Sequence, residues 1–335
     1  MFLRRCLLAA AVVLGTAAAV VAQPTARFIE REPNLWLETL DWGGQGPDVL
    51  LLAGLNHTAH MWEDFAPRLL SRARVTAFTR RGWGASSHAA QGYTPGELAA
   101  DVLAVCDSLG LDRPVLVGCS VAGAEMALAA SRRPGGFRGF VFLDAAYDHS
   151  LIAEISERAA PPRLPRPTRE ELASPQGVGE YFRRTRGYAL PEAEVLALHA
   201  FTPTGHLKDR NASPLAESLI VAGMQPPPFQ ALDAPVLAIY AKPTVASLFP
   251  DRSAFTAADL AAARTRVDLL REMLAAQVAA FEAVVPQAWI QVWDGANLNL
   301  PLAHPYKVGV VLRPFLDSLP VEPVAADSLG VDAVR

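Results

Sequence analysis

A serine at position 120 stands between an apolar run and a predicted helix. Residues 115–117 read VLV and residues 118–123 read GCSVAG, so small residues lie two before, two after and three after Ser120. A sharp strand-to-helix reversal needs small neighbours, because its backbone is strained and the two elements approach closely. Such a turn exposes the hydroxyl and directs the first helix amides toward developing negative charge. The pattern predicts a nucleophilic serine; a turn that only connects a strand to a helix is the alternative.

The elements around this serine alternate between strands and helices. A continuous apolar run, which is typical of buried parallel strands, covers residues 49–53, and further strands are predicted over residues 75–79, 114–118, 139–144, 235–241 and 288–293. Two edge strands are predicted before them, over residues 28–32 and 35–41. Helices are predicted over residues 61–71, from Thr94 to Gly110, from the serine turn to residue 133, and over residues 257–285 and 306–316. The alternation predicts an α/β fold with a mostly parallel sheet flanked by helices.

The alternation is interrupted between residues 145 and 233. Prolines crowd this stretch and its helix-like segments are short, so we expect a helical cap inserted over one edge of the sheet. The core then comprises residues 23–144 and 234–317. The polar residues 318–335 are expected to form a flexible tail.

The first 22 residues have the order of a secretory signal. Arg4 and Arg5 precede a long apolar run, and residues 20–22 read VVA before a plausible cut at Gln23. An uncleaved membrane anchor is the alternative, because the run is close to spanning length. We therefore expect a protein exported to the periplasm or secreted, with no membrane association after cleavage.

Composition argues against several other classes of protein. The 335 residues are 51% hydrophobic and 19% charged, which is too apolar and too evenly mixed for a disordered chain. A formal charge of −4 without a long basic run argues against nucleic acid as a partner. The three cysteines form neither a disulfide framework nor a zinc pattern. No metal or organic cofactor is implied, and the expected partner is a small-molecule substrate or ligand.

Four segments together resemble the α/β-hydrolase family, in its lipase/esterase-like branch, over nearly all of the predicted mature chain. Residues 50–55, LLLAGL, resemble the strand and HG oxyanion segment, with Ala53 where His is usual. Residues 61–67, MWEDFAP, are similar to the W-x-x-x-A-P helix of that family. Residues 79–86, TRRGWGAS, resemble its D-x-R-G-x-G-x-S turn, with Thr79 in place of Asp. The serine turn falls on the nucleophile motif of the family.

This resemblance implies acyl transfer to water. Ser120 falls on the nucleophile, and the amides of Leu55 and Val121 fall on the oxyanion hole. The implied reaction is attack on an ester or amide carbonyl, formation of an acyl-enzyme and its hydrolysis. Dehalogenation and epoxide hydrolysis are disfavoured, because on this fold they need a carboxylate nucleophile.

The base and the acid depart from the family pattern. The family's histidine follows the last strand in a G-A-N-H-like loop, but residues 295–300 read GANLNL, which places Leu298 there. Asp144 stands at an acid position that some members use, at the end of the strand after the elbow helix; a turn or helix cap is its alternative role. His304, six residues beyond Leu298, and His57 on the oxyanion loop are the two replacement bases that the sequence offers.

Three functions are consistent with these residues. The first is a serine hydrolase of the carboxylic ester type, acting on a small ester or related carbonyl compound through Ser120, Asp144 and His304. The second is a non-catalytic ligand-binding relative that lacks the proton relay. The third is an enzyme with a relocated base, either His304 or His57. Whether the chain has a base decides between these functions, because removing the histidine of a serine protease costs on the order of a million-fold in turnover.

Overall fold

A computed structural model describes residues 23–320 of the chain. The predicted signal segment, residues 1–22, and residues 321–335 of the predicted tail lie outside this described part. The strands are β1 Thr25–Glu32, β2 Leu35–Gly44, β3 Asp48–Leu52, β4 Arg74–Phe78, β5 Val115–Cys119, β6 Gly139–Leu143, β7 His199–Phe201, β8 Leu207–Arg210, β9 Val236–Lys242 and β10 Trp289–Asp294.

Eight of these strands form one sheet in the order β1-β2-β4-β3-β5-β6-β9-β10. Strand β2 pairs antiparallel with β1 and β4, and the other neighbours are parallel. The predicted α/β class and mostly parallel sheet are therefore confirmed.

The helices follow the strands of the sheet and flank them. They are α1 Pro95–Leu109, α2 Ala122–Arg132, α3 Ile152–Arg158, α4 Pro175–Arg186, α5 Glu192–Leu198, α6 Ala216–Ala222, α7 Val245–Leu248, α8 Ala257–Val284, α9 Leu300–Ala303 and α10 Pro305–Ser318. Helix α1 begins where predicted, because the Thr94 side chain accepts a hydrogen bond from the Glu97 amide. Gly110 ends it with a φ of 61°, in the left-handed region that glycine adopts without steric cost.

The central strands β3, β5, β6 and β9 are buried on both faces, which explains their apolar character, whereas β1 and β10 at the two edges of the sheet are mostly exposed or half-buried. Leu50 and Leu52 of β3 belong to one hydrophobic cluster, and Val49 and Leu51 belong to another. Since successive side chains of a strand point to opposite faces, the two clusters lie on opposite sides of the sheet. Helices cover both, as parallel sheets require.

Two local predictions were wrong. Strand β2 is not an edge strand, because it pairs with β1 on one side and β4 on the other. Residues 61–71 do not form one helix; the structure has two short 3-10 segments, Ala59–Trp62 and Ala66–Arg68. Pro67 lies inside the second segment, and it lacks the amide hydrogen that a continuous helix would need there.

Between β6 and β9 the chain forms helices α3–α6 and the hairpin of β7 and β8. This is the stretch for which the sequence predicts a cap. Within residues 23–320, no helix combines the length and the apolar character needed to cross a membrane.

Candidate active site

Ser120 occupies a sharp turn between β5 and α2. Its φ is 53°, which is strained for a residue with a side chain and is typical of functional sites. The small neighbours are required by packing. A Cβ at Gly123 would overlap the Ala145 carbonyl oxygen, and a Cβ at Gly118 would overlap the Met126 sulfur. The residues that indicated this turn in the sequence therefore allow helix, strand and following loop to approach closely.

The backbone of the predicted oxyanion loop passes beside this serine. A Cβ placed on Gly54 would lie 3.5 Å from Ser120 Cβ, and Leu55 lines the same cavity as Ser120. Val121 precedes the first turn of α2, where helix amides have no partner within the helix. Among residues 23–320, neither the Leu55 nor the Val121 amide has a hydrogen-bond partner.

A buried arginine fixes this loop to the helix that follows the serine. Arg80 donates to the carbonyl oxygens of Ala53 at 2.8 Å and Gly54 at 3.2 Å. Its Nε donates to Glu125 Oε1 at 2.8 Å, and Glu125 belongs to α2. Burial raises the pKa of Glu125, and the Arg80 charge opposes that rise. One guanidinium therefore sets the position of the loop relative to the serine turn.

Asp144 and Leu298 line the same cavity as Ser120. Asp144 follows β6 with a φ of 51°. Its Oδ1 accepts hydrogen bonds from the Tyr147 hydroxyl at 2.7 Å and the Ala241 amide at 2.8 Å. Burial raises its pKa to about 7, although both hydrogen bonds act to lower it. In the described part of the chain, no imidazole bonds to the Asp144 carboxyl group or to the Ser120 hydroxyl.

His304 lies apart from the other predicted catalytic residues. It is not among the residues that line the cavity. Its Nε2 accepts a hydrogen bond from the Asn297 amide at 3.3 Å, and burial beside Lys307 lowers its pKa. The structure therefore brings Ser120 and Asp144 to one cavity but does not bring His304 to it. The His304 ring instead stabilises the loop that contains Asn297 through this hydrogen bond.

His57, the other replacement base, forms a buried hydrogen bond to a glutamate that the sequence does not reveal. Its Nδ1 lies 2.8 Å from Glu194 Oε1. The Thr58 amide donates to the same oxygen at 3.1 Å, and the Thr58 hydroxyl donates to Glu194 Oε2. Glu194 is fully buried on α5, and His57 is 6% exposed. One signal for this pair is present in the sequence. Glu194 and Leu198 are four residues apart and so share one face of α5, which places a glutamate on an apolar face.

The cavity has a volume of about 690 Å³. Core residues contribute Ser120, Asp144 and Leu298 to its wall, and the stretch between β6 and β9 contributes Phe182 and Tyr188. Its size is that of a small-molecule pocket. Within residues 23–320, no three His, Cys, Asp or Glu side chains are grouped as metal ligands.

Comparisons with known proteins agree with this architecture. A sequence model of the family described as alpha/beta hydrolase fold matches residues 47–196. Fluoroacetate dehalogenase from a Burkholderia species is 30% identical over 125 residues, which are 35% of this chain and 40% of that protein. The 2-(acetamidomethylene)succinate hydrolase of Mesorhizobium japonicum is 29% identical over 119 residues, which are 35% of this chain and 43% of that protein. The crystal structure of E-2-(acetamidomethylene)succinate hydrolase is similar with a TM-score of 0.64 and 19% identity, over 88% of this chain and 100% of that one.

This chain has the alpha/beta hydrolase fold, and residues 47–196 match the sequence model of that family. The two relatives named above are a dehalogenase and a hydrolase. The match spans about two fifths of the length of these curated relatives, and their individual substrates are properties of those proteins.

Proposed function

We propose that this chain is an exported serine hydrolase that acts on a small ester or related carbonyl compound. The observation that carries the proposal is the φ of 53° at Ser120, on a turn between β5 and α2. A serine held in this way beside two amides without partners has the arrangement that acyl transfer uses.

The proposed reaction follows from these groups. The Ser120 oxygen attacks the carbonyl carbon of the substrate, and the amides of Leu55 and Val121 stabilise the negative charge on the former carbonyl oxygen. The alcohol leaves, and water hydrolyses the acyl-enzyme. A carboxylate nucleophile, which halide displacement would need, is not available at this turn, since residue 120 is a serine.

A fluorophosphonate probe tests this proposal, because it labels only an activated serine. We expect one equivalent of label on the wild type and none on Ser120→Ala. Ser131→Ala is the matched control, since Ser131 lies on the exposed side of α2 and donates only to Leu128 O. Label that persists in Ser120→Ala would contradict the assignment of the nucleophile.

A non-catalytic ligand-binding protein is the second candidate. The observation that favours it is Leu298, which lines the cavity at the position of the family's histidine. A wild type that is not labelled, together with a Leu298→His variant that is labelled, would support this candidate.

Export is proposed from residues 1–22 of the sequence alone. The mass of the protein recovered from a secreting host tests it. A chain that begins at Gln23 is expected; an intact chain in the membrane fraction would support the anchored alternative.

A further inference from the structure

Three imidazoles line the cavity, and their hydrogen bonds differ. His149 Nδ1 pairs with the Tyr147 carbonyl oxygen at 3.2 Å, and burial lowers its pKa to about 4. His199 Nδ1 pairs with a backbone carbonyl oxygen at 3.0 Å, and burial lowers its pKa as well. In the described residues neither ring is hydrogen-bonded to a carboxylate, although the charges of Asp148 and Glu194 act to raise the pKa of His149 and of His199, respectively. Of these three cavity-lining imidazoles, His57 is the one bonded to a carboxylate, Glu194.

Glu194 sets which nitrogen of His57 can accept a proton. An ionised carboxylate only accepts hydrogen bonds, so the proton of a neutral His57 ring lies on Nδ1 and the lone pair lies on Nε2. Glu194 is itself fixed by the amide and the hydroxyl of Thr58. Within residues 23–320, Nε2 of His57 has no hydrogen-bond partner, and it is not among the fully buried polar atoms. The residue also lines the cavity.

The predicted oxyanion loop links His57 to a glycine that packs against Ser120. The His57 amide donates to Gly54 O at 3.3 Å, which closes a tight turn over residues 54–57. Gly54 packs against Ser120, since a Cβ on it would lie 3.5 Å from the serine Cβ. His57 therefore ends a turn whose first residue, Gly54, contacts Ser120, and both His57 and Ser120 line the cavity. The rings and hydroxyls of active sites without substrate are often not yet hydrogen-bonded.

From these contacts we propose that His57 is the catalytic base and acid of this site and that Glu194 is its positioning residue. The inference rests on the proposed role of Ser120 as nucleophile. In this proposal an imidazole on the oxyanion loop takes the role of the family's histidine, whose position is occupied by Leu298 in this chain. The supporting carboxylate then comes from the stretch between β6 and β9.

The proton transfers balance as follows. As the Ser120 oxygen bonds to the carbonyl carbon, its proton passes to His57 Nε2, directly or through one water. The imidazolium returns that proton to the leaving oxygen as the ester bond breaks, which releases the alcohol. In the second half, water gives a proton to Nε2 and its oxygen bonds to the acyl carbon. The proton then returns to the Ser120 oxygen as the acid product leaves.

The test compares fluorophosphonate labelling and p-nitrophenyl acetate hydrolysis in variants of the full chain. We expect His57→Ala to lower the labelling rate and kcat about 10²- to 10⁴-fold with KM little changed, as general bases contribute. Added imidazole is expected to restore part of the rate, which it would not do if the ring had only a structural role. His88→Ala is the matched control, because His88 is exposed and not among the residues lining the cavity.

Glu194 is tested by two substitutions. Glu194→Gln is expected to lower kcat by up to about 10⁴-fold, because an amide that donates to Nδ1 selects the wrong tautomer. Glu194→Asp keeps the carboxylate and is expected to recover part of the rate. Circular dichroism and thermal unfolding verify that each variant is folded.

Each outcome decides the inference. His57→Ala labelled at the wild-type rate, with the label still on Ser120, would overturn it and leave the nucleophile standing. A loss of rate in His304→Ala, with none in His57→Ala, would overturn it in favour of the other histidine. A wild type without label would overturn the proposed function and this inference together.

Discussion

Replacing Asp144 by Asn tests whether the buried carboxyl group after β6 destabilises the protein when it ionises. Burial raises the pKa of Asp144 from the ordinary 3.8 to about 7, so the folded state binds this proton more tightly than the unfolded state. The contribution to stability is complete below about pH 4 and is lost as the pH rises through about 7. Each pKa unit corresponds to about 1.4 kcal/mol, so the loss is on the order of 4 kcal/mol.

Urea unfolding of the wild type and Asp144→Asn at several pH values measures this effect. An Asn side chain does not titrate, but it keeps an oxygen that can accept the hydrogen bonds from the Tyr147 hydroxyl and the Ala241 amide. We expect the variant to gain stability relative to the wild type between about pH 4 and pH 8. His149, whose pKa burial lowers to about 4, makes both proteins more stable as pH rises, so its effect cancels in the difference.

The reasoning fails if the difference in unfolding free energy between the two proteins is the same at both ends of this range. It also fails if the wild type gains on the variant as the pH rises. That result would mean that the carboxyl group is ionised in the folded protein at little cost, as it would be beside a cation.

Other substitutions test the rest of the site and its surroundings. Leu298→His in a His57→Ala background is expected to raise the rate of fluorophosphonate labelling about 10²- to 10⁴-fold, because an imidazole at position 298 would reach the cavity that holds the serine. An unchanged labelling rate in a folded protein would count against position 298 as the place for a catalytic base. His60→Gln is expected to destabilise the protein by on the order of 3 kcal/mol below about pH 6.5. Burial lowers the pKa of His60, but two glutamates raise it to about 9 overall. The difference in unfolding free energy between the wild type and His60→Gln should therefore disappear as the pH rises through about 9. A difference that urea unfolding shows to be independent of pH would contradict this. Gly123→Ala is expected to cost at least about 1–3 kcal/mol in thermal unfolding, because its Cβ would meet a backbone carbonyl group. Gly179→Ala on α4, where the added carbon has only ordinary contacts, is its control and is expected to be neutral or stabilising.

The serine turn and the parallel sheet were predictable because their signals are local. A buried parallel strand needs a continuous apolar run, and the close approach at Gly118 and Gly123 excludes larger residues. The helix prediction over residues 61–71 was wrong because the apolar spacing of this segment fits a helix, whereas Pro67 lacks the amide hydrogen that would continue one. The edge strand prediction over residues 35–41 failed because pairing with β4 depends on where a later strand lies.

The polar pairs of the site were not predictable because their partners are distant in sequence. Glu194 lies 137 residues from His57, and Arg80 lies 45 residues from Glu125. The two glutamates in the first turn of the short helix α5, Glu192 and Glu194, are sufficiently explained by the helix dipole. Only the packed structure shows that the Glu194 carboxylate is buried and bonded to the oxyanion loop.

The bond between Glu194 and the oxyanion loop has a consequence for how this protein can diversify. Insertions between strands usually vary freely among homologues while the sheet stays constant. Here the stretch between β6 and β9 supplies a carboxylate that holds Thr58 and His57. Exchanging this stretch for another would leave that imidazole without its carboxylate, so we expect a functional exchange to need an acidic residue at the same place in the incoming segment.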